Sequence, residues 1–284
     1  MEKKYKLTEE TINVGDKTLH RIEALKDFSD VKKGYKGGFI ENEENLSQSG
    51  DCWVYHNAAV CGNARIYGDA KVYGKAEVFG DAMVYGNAKV YEDARIYGNA
   101  KVYEDARIYG HANVYHNAAV CGDAVVYCDA KVYGNAAVCG NTRIYGNAIV
   151  RGDAVVGGDA VVGGDAEIYD NAKVFGNTEV FGNAEIRGDA EIASNSDYIV
   201  FKNWWSSGRY FTWTKNNNMW KVGCFYGTGE ELIEKAYKDS ELSGKEYKKV
   251  VVYVNSIKDN KYNHVRKNIK ERLLSKIRKL LVNE

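Results

Sequence analysis

From Val54 to Ile192 an aliphatic residue returns at every sixth position, 24 times without an insertion. Two residues before each stands Ala, except at Cys52, Thr142 and Thr178, and Gly-Asp or Gly-Asn commonly begins two residues after it. The unit is Ala-x-Val-Tyr-Gly-Asp/Asn. Alternation along a strand sends the Ala and the aliphatic residue to one face and their neighbours to the other, while Gly with Asn or Asp supplies a corner. A single hexad cannot bury its own apolar face, so the units must stack into a coil.

An aliphatic residue, three variable positions, a small residue and a further variable one make a pattern that resembles the hexapeptide-repeat proteins with a left-handed parallel β-helix. The resemblance implies a mainly β chain with three hexads per triangular coil, hence about eight regular coils. At ~4.8 Å per coil this is a prism roughly 38 Å tall. Ile40 and Leu46 keep the six-residue step upstream, and "GGFIENEENLSQSGDCWV" reads as one further, irregular coil, which sets the helix at residues 34–196. Residues 1–33, with "NVGDK" between two alternating stretches, read as an N-terminal β cap in the form of a hairpin over the open end.

A step of three hexads moves one coil along the same face, so the outward columns can be read directly. On the first face the residues after the aliphatic include Tyr55, Tyr73, Tyr91, Tyr109, Tyr127 and Tyr145, then Gly163 and Phe181. Lys71, Lys89 and Arg107 stand beside them. Aromatic rings flanked by cations can take up bases and phosphates, so Tyr73, Tyr91, Tyr109, Tyr127, Lys71, Lys89 and Arg107 form a candidate ligand-binding face. The same ladder also strengthens a prism with no ligand at all, because stacked aromatics on a strand surface support one another.

On the third face Ala119, Cys121, Ala137, Cys139, Val155 and Gly157 form a smooth apolar strip. With Val161 and Gly163 on the first face it belongs to a belt from which bulky and charged side chains are trimmed. The expected oligomer contact is therefore Ala137, Cys139, Val155, Gly157, Val161 and Gly163, met by another subunit or by the chain's own C-terminal domain. The hexapeptide-repeat resemblance implies a homotrimer.

The repeat stops after Ile192. Residues 197–258 read as a small α+β module, with four of the five Trp within it, a hairpin at "RYFTWT-KNNN-MWKVGCF" and a capping box from Thr228 to Glu231 opening a helix that runs to about Gly244. Residues 245–258 fit a strand or a helix equally. Residues 259–284 place Val265, Ile269, Leu273, Ile277 and Leu281 on one stripe of a basic amphipathic helix. Ser206, Ser207 and Arg209 offer an anion-binding loop.

The six Cys show no CxxC spacing and are expected to be free thiols, with no metal and no cofactor implied. Zero formal net charge gives no global pull toward nucleic acid or membrane. With neither an apolar leader nor an apolar run of ~18 residues, the expected place is the cytoplasm. Uninterrupted hexads followed by "WSSGRYFTWT" and "GCFYGTGEEL" resemble hexapeptide-repeat proteins of phages and prophages, which puts that cytoplasm in an infected bacterial host. The reading is a non-enzymatic binding or scaffold protein that oligomerises and binds a host protein or a small anionic ligand such as a nucleotide, in the service of counter-defence. Two alternatives stand beside it: a purely structural assembly protein, and an acyltransferase of the hexapeptide-repeat type. In the second, His111, at a corner between Asp93 and Asp129 of the neighbouring coils, would be the base.

Overall fold

The computed structural model describes residues 2–205 and 208–258. Strands β1 (Tyr5–Val14) and β2 (Lys17–Ala24) form the expected hairpin, and β3 (Lys36–Ile40) pairs antiparallel with β2. Twenty-four two-residue strands follow at six-residue intervals, from β4 (Trp53–Val54) to β27 (Glu191–Ile192). Each pairs in parallel with the strand three hexads away, so they make three faces of eight strands. The hairpin and β3 extend the second of these to eleven strands. With the irregular coil, joined through β3 to Ala59–Val60 and through a Leu46–Ile66 bridge, the solenoid has about nine turns.

The interior consists of the two apolar positions of each hexad, and residues such as Ala88, Val90, Ala106 and Ile108 have no accessible surface. Thr142 and Thr178 occupy Ala slots in this core, and their hydroxyls donate to the carbonyls of Cys139 (2.6 Å) and Phe175 (2.7 Å). That satisfies the one polar group each brings inside. Every corner between consecutive strands from β4 to β27 is in the left-handed region; where Gly is missing, His56, Glu92, Glu104, His116, Cys128 and Asp170 adopt it at φ 54 to 60°. Asn side chains run down the corners, Asn99 donating to Asn117 (3.0 Å), Asn117 to Asn135 (2.9 Å) and Asn135 to Asp153 (2.8 Å).

At the N-terminal end the cap closes the core: Tyr5 and Phe28 pack edge-on to Trp53, and the Tyr5 hydroxyl donates to the Leu46 carbonyl at 2.6 Å. At the other end strands β28 (Tyr198–Lys202), β29 (Tyr210–Thr214), β30 (Met219–Val222) and β31 (Phe225–Gly227) form an antiparallel sheet against the last coil. The "KNNN" turn makes much of the join. Asn216 accepts from Glu191 N–H (2.9 Å) and donates to the Asp189 carbonyl (3.3 Å), while the Thr212 hydroxyl accepts from Glu185 N–H (3.0 Å). Among the described residues the module sits on this end of the solenoid, not on its trimmed belt.

Helices α1 (Gly229–Asp239) and α2 (Glu241–Lys258) complete the module. The capping box forms as expected, with Thr228 N–H donating to Glu231 Oε2 at 2.8 Å. The first helix nevertheless ends at Asp239, earlier than Gly244, which lies inside α2 where an added Cβ would strike the Tyr237 ring. That glycine serves close helix packing, not a stop. The ambiguous 245–258 segment is helical, with Val251 and Val254 buried against the sheet core. The tail beyond residue 258 lies outside the described residues.

Candidate ligand-binding face

On the first face Lys71, Lys89 and Arg107 are register partners in successive strands. Beside them Tyr55 stacks on Tyr73 (centroids 4.4 Å apart) and Tyr73 on Tyr91 (5.2 Å), both near parallel. Tyr109 stacks on Tyr127 (5.0 Å) and Tyr127 on Tyr145 (5.2 Å). Between these two piles the ladder breaks: Tyr91 and Tyr109 are 6.4 Å apart with planes at 77°. A cleft of about 570 Å³ opens at the break, lined by His56, Tyr73, Gly74, Tyr91, Glu92, Arg107 and Tyr109.

The three cations are not equivalent. Lys71 is bound by the cap, its ammonium 2.5 Å from Asp30, which also accepts from the Tyr55 hydroxyl at 2.8 Å. Partial burial pushes the Asp30 carboxyl up, but the hydrogen bonds from Lys71 and Tyr55 outweigh it and hold the group at about 2. Lys89 and Arg107 are exposed and have no carboxylate within ion-pair distance among the described residues. Burial, with the Asp30 charge behind it, raises the Tyr73 hydroxyl to about 12, and burial also raises that of Tyr91. Both phenols are therefore hydrogen-bond donors at neutral pH. Glu92 turns its Oε2 to the N–H of Gly110 at 2.8 Å.

Of the expected site, Tyr73, Tyr91, Tyr109 and Arg107 converge on the cleft, Lys89 and Tyr127 flank it in the ladder, and Lys71 is withdrawn into the cap. Ser206 and Ser207 lie outside the described residues; Arg209 is on the C-terminal module, its side chain against Gly223. His111 lines a separate cleft of about 360 Å³ with Asp93, Arg95 and Asn113. Its imidazole has no hydrogen-bond partner among the described residues, so no carboxylate orients it there; only its backbone is engaged, the carbonyl accepting from the Asn113 amide at 2.7 Å and the N–H donating to the Cys128 carbonyl at 2.8 Å.

The residues missed from sequence are Asp30, His56 and Glu92. Asp30 reaches the face from the cap across 41 residues of chain, which no local pattern reports. The other two did leave a signal: both interrupt the run of corner glycines in one column, at positions where a side chain is carried at positive φ.

The trimmed belt divides. On the third face the strip from Ala119 through Ala137 to Val155 is in register, and Val155 is 43% exposed. On the first face Val161 is half-buried, whereas Gly163 is buried, because the Tyr145 ring leans over it; a Cβ there would come within 2.6 Å of Tyr145 Cζ. Tyr145 thereby reaches Phe181 at 6.2 Å, two coils on. The missing tyrosine at 163 is filled from within the chain. The expectation of six free thiols also fails: Cys121 and Cys139, one coil apart with Cα atoms 4.7 Å apart, form a disulfide, and Cys52, Cys61, Cys128 and Cys224 are free. Stacking in register puts equivalent side chains of neighbouring coils at disulfide distance, a proximity invisible to a search for CxxC.

Comparison with known proteins gives likenesses to a solenoid repeat and to one bacterial protein. Residues 142–164 match the YdcK beta solenoid repeat. Over 42 residues the chain is 45% identical to the uncharacterized acetyltransferase YdcK of Escherichia coli (strain K12), a match that covers 15% of this chain and 13% of that protein.

Proposed function

We propose that this chain is a binding protein whose first face takes up a small anionic ligand with an aromatic ring, of the nucleotide class, between Tyr91 and Tyr109. The observation that carries this reading is the break in the ladder at the place where Arg107 and Lys89 are left without carboxylate partners. A base entering the break restores the stack, at ~1–3 kcal/mol per base, and its phosphate meets the two cations. In the setting of the phage resemblance, such a protein withholds a nucleotide signal from its host. The third-face strip joins copies of the chain, and the C-terminal module is free to meet a host protein.

Calorimetric titration with mononucleotides, cyclic nucleotides and dinucleotides tests the site. Tyr91→Ala and Arg107→Ala should each weaken binding roughly tenfold, equal to ~1.4 kcal/mol. Glu92→Gln should strengthen it by removing a like charge from the cleft wall. A flat response to the whole panel sinks the proposal.

A second reading, acyl transfer, draws on the likeness to the acetyltransferase. There His111 would be the base, and turnover of acetyl-coenzyme A that His111→Ala abolishes would support it.

A further inference from the structure

We infer a second binding slot at the N-terminal end of the second face, shaped for a planar aromatic ring bearing an ammonium group. It does not depend on the first-face reading. Among the described residues the second face carries the longest unbroken stack of near-parallel rings. Phe79 stacks on Tyr97 at 4.9 Å and 1°, Tyr97 on Tyr115 at 4.8 Å and 5°, and Tyr115 on Tyr133 at 4.7 Å and 10°.

One coil before Phe79 the ladder position holds no ring. The other two faces begin their ladders in that coil with Tyr55 and Tyr67, which stack on Tyr73 and Tyr85. The second face has Cys61 there, and a thiol fills only the root of a position that a ring would occupy. The cap covers the position only in part: Ile12, Val14 and Phe79 pack against the buried cluster of Leu19, Phe39, Ala59 and Cys61, and space remains beside them. A cleft of about 470 Å³ lies over it, with Ala59 and Cys61 as floor, Phe79 as wall and the hairpin turn at Val14, Gly15 and Lys17 overhanging it. A ring placed on Phe79 continues the ladder by one period, in a space that Val14 also lines.

The rim sets the sign of charge. Lys17 is closed on Glu41 at 2.7 Å, and Glu77 is met by Arg95 at 3.1 Å. Asp81, also on the rim, accepts from the Asn63 amide at 2.9 Å and has no cation within ion-pair distance among the described residues. An ammonium on the ligand completes it, and a carboxylate on the ligand is repelled. The class is thus an arylalkylamine, small enough for one or two fused rings.

The test is calorimetric titration of the full chain with tryptamine, and with indole and indole-3-acetate as controls. Tryptamine should bind saturably at one site, at least tenfold more tightly than indole-3-acetate. Cys61→Phe supplies the absent ring and should abolish binding. Phe79→Ala, a truncation at a half-buried position outside the solenoid interior, should weaken it at least tenfold and is the readout if the first variant does not fold. Asp81→Asn should bring tryptamine down to the level of indole, and Tyr91→Ala on the first face should change nothing. Absence of saturable binding, equal binding of indole-3-acetate, or binding that persists in Phe79→Ala overturns the inference.

Discussion

Glu92 stands directly over Gly110, one coil on, and its carboxylate accepts the Gly110 N–H at 2.8 Å. The pair follows a general rule of this solenoid. Each of the six non-glycine corners is succeeded, one coil on, by glycine: His56 by Gly74, Glu104 by Gly122, His116 by Gly134, Cys128 by Gly146 and Asp170 by Gly188. A corner Cβ points along the stack into the backbone of the next coil, so two side chains in succession crowd the column. At Gly110 an added Cβ would sit 2.8 Å from the backbone N of Cys128; at Gly182 it would meet nothing within 4 Å.

Gly110→Ala should therefore destabilise the fold by ~2–3 kcal/mol, the left-handed penalty of ~1–2 kcal/mol plus the collision. Gly182→Ala should cost only the backbone part, ~1 kcal/mol. Denaturant titrations of the two variants check the difference, and equal losses would show that the next coil yields freely.

The Cys121–Cys139 bond makes a chemical count. Thiol labelling of the unfolded, unreduced chain should modify four cysteines and labelling after reduction all six. The closed loop spans 18 residues, so in the chain-entropy account reduction removes ~3 kcal/mol. A reductant should lower the melting temperature of the parent chain and leave that of Cys121→Ala/Cys139→Ala unchanged. Six labelled thiols before reduction would refute the bond in solution.

The clasp of Lys71 and Tyr55 on Asp30 predicts an acid response. The Asp30 pKa is depressed from 3.8 to about 2 in the folded chain. A depressed carboxylate contributes its stability in full above the unfolded value and loses it as pH falls through the folded one. The cap should thus loosen from the first face between about pH 4 and pH 2, exposing the Lys71 amine. Asp30→Asn should show the loosened state already at neutral pH, read as several-fold faster acylation of Lys71. Unchanged acylation in that variant would mean that the cap's other contacts, Phe28 and Tyr5 on Trp53 among them, hold it without the clasp.

How far the sequence announces all this depends on the kind of contact. The strand at each aliphatic residue, the turn after it and the capping box at Thr228 are consequences of local spacing, and each was legible. Contacts along the stack were legible only as columns: the rings at Tyr91 and Tyr109 are equivalent in the repeat, yet side-chain rotation parts them. Gly163 was read as a gap because the pattern cannot show Tyr145 leaning into it. Gly244 was read as a stop because the approach of Tyr237 is tertiary. "VVVYV" left strand and helix open until burial of Val251 and Val254 chose the helix face.

The trimmed belt leads to the last prediction. Its first-face portion is already occupied, since Tyr145 covers Gly163, whereas on the third face Val155 stays 43% exposed in line with Ala137 and Ala119. If copies of the chain associate, the third face is the one with apolar surface to gain, at ~25 cal/mol per Å² removed from water. Val155→Glu places a charge in the middle of that strip and should dissociate the assembly. Val161→Glu, on the half-buried first face beside Tyr145, should leave the subunit number unchanged. Sedimentation equilibrium on both variants and the parent decides. Dissociation by Val161→Glu alone would move the contact to the first face, and one mass for all three would remove the belt from any interface.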